Sequence, residues 1–157
     1  MTSEGTGSAE QSNGTAMDRP MIRLGFGLIL LAFVGGILAP TVMVNSRLGV
    51  GAHLIGLFGG LILIAVGVTR SAVRLGPVLR RVMNGCWLGA TYGNWVGTMI
   101  AGFTGASHLT PLAGAGTVGT PIAENVVIGF FCLVGATSGI AALIAIYGLR
   151  GADRCAS

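Results

Sequence analysis

Lysine is missing from this sequence altogether, and charge of either sign is scarce: nine arginines and five acidic residues make up 9% of the chain. So little charge cannot solvate a globule, and with 52% hydrophobic residues and a mean hydropathy of +0.81 an ordinary soluble domain with a polar shell is excluded. Cysteine is equally sparse. Cys86, Cys132 and Cys155 show no short Cys-x-x-Cys spacing, which argues against a metal clamp and leaves them as small apolar filler. No basic patch is interleaved with aromatics, so the net charge of +4 does not point to nucleic acid. The first residues, Met1 to Asp18, hold no apolar side chain larger than Met and no periodicity, which predicts disorder over about 1–20.

What remains is apolar and long. A bilayer span needs about 20 mostly apolar residues, and the charged positions leave four windows of that length, at about 22–44, 48–69, 82–104 and 123–148. A signal peptide is the other reading of the first window, but its apolar run is longer than such a region needs. The fold class expected is therefore an all-α membrane protein, a bundle of four transmembrane helices within about 21–150, with a short tail at 151–157. Arg19, Arg23, Arg70, Arg74, Arg80, Arg81, Arg150 and Arg154 fall on one side of those windows and only Arg47 on the other, a bias of eight against one. By the positive-inside rule both termini face the cytoplasm, in a multi-pass protein of the cytoplasmic membrane.

Small residues at four-residue spacing mark helix contacts in lipid. The third window carries Gly85, Gly89, Gly93 and Gly97, continued by Ala101 and Gly105, a ridge of bare backbone on which another helix should lie. Roughly opposite runs a second stripe, Asn84, Trp87, Thr91, Asn94 and Thr98, polar where lipid would forbid it. The second window holds the only histidine placed within a span, His53, with Gly49, Gly56 and Gly60 on its own face. Those glycines admit two readings: close approach of a neighbouring helix, or room for a flat cofactor whose metal the imidazole ligates. At 1.5 Å rise per residue His53 lies roughly 8 Å below the outer boundary, level with Thr98, with Asn94 somewhat deeper. A histidine at that depth is a functional hypothesis, weighed against a buried imidazole that is merely hydrogen-bonded. The loop over about 105–122 is too long for a hairpin and apolar enough to fold down as a lid, with His108 a wet loop residue. Glu124 either pairs with Arg47 or favours a helix N-terminus.

Two stretches, Asn45-Ser46-Arg47-Leu48-Gly49-Val50-Gly51-Ala52-His53-Leu54-Ile55-Gly56 and Tyr92-Gly93-Asn94-Trp95-Val96-Gly97-Thr98, resemble the hydroxylaminobenzene mutase family. Thr110-Pro111-Leu112-Ala113 and Gly119-Thr120-Pro121 with Glu124 continue the likeness, which runs over about 22–150. The four-helix plan is also similar to the more distant styrene oxide isomerases. The resemblance implies a membrane isomerase that moves the hydroxyl of an aryl hydroxylamine from nitrogen to the ring, giving an aminophenol. It further implies haem b with His53 as the axial ligand of the iron and Gly49, Gly56 and Gly60 beside it. The iron would act as a Lewis acid without net electron transfer. Asn94 and Thr98 would orient the substrate heteroatom, Thr91 would support them, and Trp87 would pack against the aromatic ring. A homo-oligomer, a trimer by analogy, is expected because four short helices enclose little interior.

The chain also departs from the family pattern. Gly59 stands where an asparagine is expected six residues after the histidine, and Ile55 where the mutases often carry an acid. Thr98 matches the position of a tyrosine in the epoxide isomerases, which counts against aryl epoxide opening. Two other readings compete: a non-catalytic small membrane subunit or accessory protein, in which glycine ridge and polar stripe serve assembly alone, and a small transporter. The latter would need a polar pathway that the first and fourth windows, with little beyond Thr137 and Ser138, do not offer.

Overall fold

The computed structural model describes residues 17–150, so most of the segment read as disordered and the tail at 151–157 lie outside the described residues. Among the described residues the chain is all-helical: α1 Arg19–Val42, α2 Ser46–Val68, α3 Pro77–Thr104, the short α4 Pro111–Gly114, and α5 Pro121–Gly148, with one 3-10 turn, Thr69–Ser71, after α2. The four long helices correspond to the four apolar windows. Each begins earlier than its window, because caps rather than hydropathy set the start. The Asp18 carboxylate accepts from Met21 N–H, Asn45 from Leu48 N–H and Thr120 from Ala123 N–H, while Pro20, Pro77 and Pro121 occupy first-turn positions where no N–H is needed. Arg19 and Pro20 are thus helical rather than disordered, and Arg80 and Arg81 belong to α3 rather than to a loop.

Three helices, α1, α2 with its following turn, and α5, are long and apolar enough to cross a membrane. At 28 residues α3 is as long as α5, but Asn84, Thr91, Asn94 and Thr98, with the glycines between them, dilute its apolarity. Of these polar side chains Thr91 and Thr98 are buried between helices, and Asn84 and Asn94 are half-buried.

The helices dock mainly on their neighbours in chain order, α1 on α2, α2 on α3, and α3 on α5. Glycine makes the α1–α2 approach close. A Cβ on Gly60 would lie 2.6 Å from the Gly25 carbonyl oxygen and 2.5 Å from Ile29 Cγ1, and one on Gly56 would lie 2.6 Å from Ala32 Cβ. Leu28 of α1 and Leu63 of α2 are fully buried in this seam, and Trp87, Tyr92 and Trp95 of α3 pack around it. The Tyr92 hydroxyl donates to the Leu24 carbonyl of α1 at 2.8 Å.

The glycine ridge of α3 receives α5, as its spacing predicts. A Cβ on Gly97 would come within 3.0 Å of Phe130, one on Gly93 within 3.3 Å of Val134, one on Gly89 within 3.9 Å of Thr137, and one on Gly85 would meet nothing within 4 Å. The two helices therefore diverge steadily from the α4 end of the bundle toward the end where α1 begins and α5 ends.

The loop between α3 and α5 is tied down by two side chains. Asn45, buried at the α1–α2 turn, donates to the Gly114 carbonyl at 2.8 Å and to Thr117 Oγ1 at 3.0 Å. Glu124 pairs with neither Arg47 nor any other cation among the described residues; its carboxylate accepts the backbone N–H groups of Ser107, His108 and Gly119 at 3.0, 3.0 and 3.1 Å. A carboxylate holding three amides fastens loop to helix. Glu124→Ala should accordingly leave the helical content unchanged while the segment around 105–120 becomes the first site of limited proteolysis. Equal cleavage rates in wild type and variant would show that the loop is held by other contacts.

Candidate active site

His53 sits on the α1 side of α2. Its Nδ1 is 2.8 Å from the Ala32 carbonyl oxygen of α1, and the ring meets Phe33 edge-on with centroids 5.5 Å apart. A carbonyl only accepts, so Nδ1 carries the proton and the lone pair of a neutral ring is left on Nε2. Nε2 has no hydrogen-bond partner among the described residues and is not sealed from the surface. The ring is admitted by Gly36, where a Cβ would stand 2.7 Å from Nδ1. Neither Gly36 nor the Ala32 carbonyl was visible as a partner in the sequence, since one has no side chain and the other acts through its backbone.

Gly49, Gly56 and Gly60 are occupied differently. Their bare faces are covered by Ala39 and Met43, by Ala32 and the Trp95 indole, and by Gly25 and Ile29, respectively. Of the two readings left open for these glycines, close helix approach is the one the packing follows.

The polar stripe of α3 opens on a second place. Along the gap where α5 leaves α3 lies a cavity of about 180 Å³ between α2, α3 and α5. Trp87, Thr91 and Asn94 line it from α3, Ser138 from α5, and Ile55, Phe58, Gly59 and Ile62 from α2. The Thr91 hydroxyl donates to the Trp87 carbonyl of its own helix at 2.9 Å, a common use of threonine within a helix. Asn94 and Ser138 make no side-chain hydrogen bond to any described residue, and Trp87 Nε1–H is buried without an acceptor. Asn94 and Ser138 thus keep uncommitted polar groups at this cavity, while the unpaired Trp87 Nε1–H is enclosed by the packing beside it. Gly59 and Ile55, the two departures from the resembling pattern, are both on its wall. A Cβ at 59 would come within 3.1 Å of Leu28 and 3.2 Å of Thr91, so a larger residue there would have to displace one of them.

Thr98 does not reach the cavity. It is 3% exposed, and its hydroxyl donates to the Asn94 carbonyl at 2.8 Å. His53 is likewise absent from the lining. The structure therefore brings together Thr91, Asn94 and Trp87, adds Ser138 to them, and separates them from His53 and Thr98. Among the described residues no three His, Cys, Asp or Glu side chains are grouped so as to hold a metal ion.

Comparison with known proteins decides what kind of molecule this is. The model of the styrene oxide isomerase family matches residues 17–150. The chain belongs to the styrene oxide isomerase family. Two curated relatives come from Ectopseudomonas oleovorans: hydroxylaminobenzene mutase HabB, 32% identical over 142 residues that cover 90% of this chain and 86% of the relative, and hydroxylaminobenzene mutase HabA, 36% identical over 104 residues that cover 66% and 76%. No solved structure matches. This member of the styrene oxide isomerase family is a membrane isomerase, which removes the non-catalytic and transporter readings. The matched region spans both the cavity and His53.

Proposed function

We propose that this isomerase acts as a hydroxylaminobenzene mutase: the N–O bond of an aryl hydroxylamine breaks, a ring C–O bond forms, and loss of a ring proton balanced by protonation at nitrogen gives the aminophenol. The observation that carries this reading is the cavity between α2, α3 and α5, where Phe58 and Trp87 supply aromatic walls and Asn94 and Ser138 supply uncommitted hydrogen-bonding groups. An aryl hydroxylamine has a flat apolar ring and a compact polar head, and this lining suits both. Asn94 and Ser138 would hold the N–OH group, Thr91 would set the height of the Trp87 turn, and Trp87 would stack on the ring. The mutase relatives favour this substrate. The description of the family favours a second reading, an aryl epoxide isomerase; against it stands Thr98, whose hydroxyl is spent inside its own helix.

Haem b with His53 as axial ligand belongs to the same proposal. The imidazole fits that role, because the Ala32 carbonyl fixes the tautomer that presents the Nε2 lone pair and Phe33 beside it keeps the surroundings apolar. When bound, haem iron would supply Lewis acidity. His53 and the cavity lie on different sides of α2, so a site using both would need a second copy of the chain. Support for a homo-oligomer, a trimer by analogy, also comes from α5, whose apolar window is only 11% buried and whose Gly129, Gly135 and Gly139 face open space. We place the protein in the cytoplasmic membrane with four spans, α3 being the fourth, and with both termini cytoplasmic.

The test is turnover of phenylhydroxylamine and of styrene oxide by the detergent-purified protein, with its visible spectrum recorded in parallel. Aminophenol formation well above the epoxide rate, and a Soret band that His53→Ala abolishes without loss of helical circular dichroism, are expected. Turnover of neither compound would overturn the substrate reading, and a Soret band that survives in His53→Ala would remove His53 as ligand.

A further inference from the structure

At the end of the bundle where α1 begins, α2 ends and α3 begins, a second cavity of about 390 Å³ is lined by Asp18, Arg70, Leu75, Pro77, Arg80, Arg81 and Asn84. Three arginines and one carboxylate line it. Asp18 is already engaged by its neighbours: it accepts from Met21 N–H at 3.3 Å and from the Asn84 amide at 3.2 Å, and its carboxylate is 3.8 Å from Arg70. One carboxylate cannot neutralise three arginines, so the cavity keeps a surplus of positive charge.

The donors are also held in place and left incomplete. Arg80 donates to the Val73 and Leu75 carbonyls at 3.4 and 3.2 Å, which fixes its guanidinium at the cavity wall, and Arg81 is exposed with no partner among the described residues. Nε of Arg70 is buried without an acceptor. The Arg70 side chain as a whole is 40% exposed, so it is not sealed in the fold and an acceptor from outside can reach it. Pro77, at the cavity rim, starts α3, a helix of 28 residues whose N-cap Gly76 offers no side chain to its first N–H groups. The positive end of that helix adds to the same field.

We infer that this cavity is a binding site for a phosphate-ester anion, held by Arg70, Arg80 and Arg81 together with the α3 N-terminus. Forked guanidinium donors match phosphate oxygens in pairs, and Asn84 supplies a neutral amide beside them. The ester has two sources, an anionic lipid headgroup or a free phosphorylated solute. The site is distinct from the cavity lined by Asn94 and Ser138, and it does not depend on which substrate the enzyme isomerises.

The full-length protein in neutral detergent is titrated, by thermal shift, with dioleoyl-phosphatidylglycerol, with dioleoyl-phosphatidylcholine and with glycerol 3-phosphate. Saturable stabilisation by phosphatidylglycerol but not by phosphatidylcholine assigns the site to a lipid headgroup, and saturable stabilisation by glycerol 3-phosphate alone assigns it to a solute. In either case Arg81→Gln should weaken binding about fivefold, the worth of one basic residue at an anionic surface, and Arg80→Gln with Arg81→Gln more than tenfold. Arg74→Gln is the control, since Arg74 is exposed on the same connection but does not line the cavity. If Arg74→Gln costs as much as Arg81→Gln, or if neither anion gives saturable stabilisation, the arginines form only a diffuse charged surface and the inference fails.

Discussion

Gly60→Val is expected to lower the stability of the purified protein by about 3 kcal/mol or more, a large share of the roughly 5–15 kcal/mol that holds a typical domain together. The reason is that the first added carbon would stand 2.6 Å from a backbone oxygen, Gly25 O, and 2.5 Å from Ile29 Cγ1. A side chain can rotate away from an intruder, but a carbonyl fixed in a helix moves only if α1 moves with it. Leu28 and Leu63, both fully buried in that seam, would lose their packing together. The comparison is Gly51→Val on the same helix, where an added carbon meets nothing within 4 Å. Thermal melts in one detergent should put Gly60→Val far below wild type and Gly51→Val close to it. Coincident melts for all three proteins would mean that α1 and α2 are not seated on one another as described.

The largest effect on chemistry is expected at Asn94. Removing its amide by Asn94→Ala should lower kcat/KM for phenylhydroxylamine about 100-fold, the usual cost of losing one well-placed hydrogen-bonding group at a reacting centre. Ser138→Ala should cost about tenfold, because a hydroxyl opposite Asn94 shares the same heteroatom. Thr98→Val serves as the contrast: its hydroxyl is already used by the Asn94 carbonyl, so only a small change should follow. The Soret region should be unchanged in all three variants. Wild-type kcat/KM in Asn94→Ala, or a larger loss in Thr98→Val than in Asn94→Ala, would show that the cavity is not where the substrate reacts.

Long apolar runs in the sequence mark the four helices, and the four-residue rhythm of Gly85, Gly89, Gly93 and Gly97 marks the surface on which α5 lies. Both signals are local, so a sequence can hold them. Orientation of the site was less legible. His53 and the outer end of the polar stripe, Thr98 and Asn94, are at similar depth, and depth alone made them candidate neighbours, yet the rotation of α2 about its axis turns the imidazole toward α1. That rotation is set by which glycines α1 fills, and a glycine contact face looks the same in sequence whether a helix or a cofactor covers it. The threonines were misleading for a different reason: Thr98 reads as an available hydroxyl, but a helical threonine can satisfy itself on the carbonyl one turn back. Ser138 was passed over because a lone serine in an apolar helix carries no pattern. Asn45 and Glu124 were visible as residues, whereas the backbone groups they hold, at positions 105–120, became known only with the loop in place.

Because each long helix docks chiefly on the one made just before it, the order of synthesis is also an order of assembly. α1 and α2 can close their seam before α3 has left the ribosome, and α5 arrives last at a ridge already in position. Contacts so short in sequence cost little loop entropy and need no rearrangement of helices already inserted. The same serial plan makes failure local: an error at Gly97, where α5 comes closest to α3, would loosen the last helix and the cavity it helps to line, while the hairpin bearing His53 would stay whole.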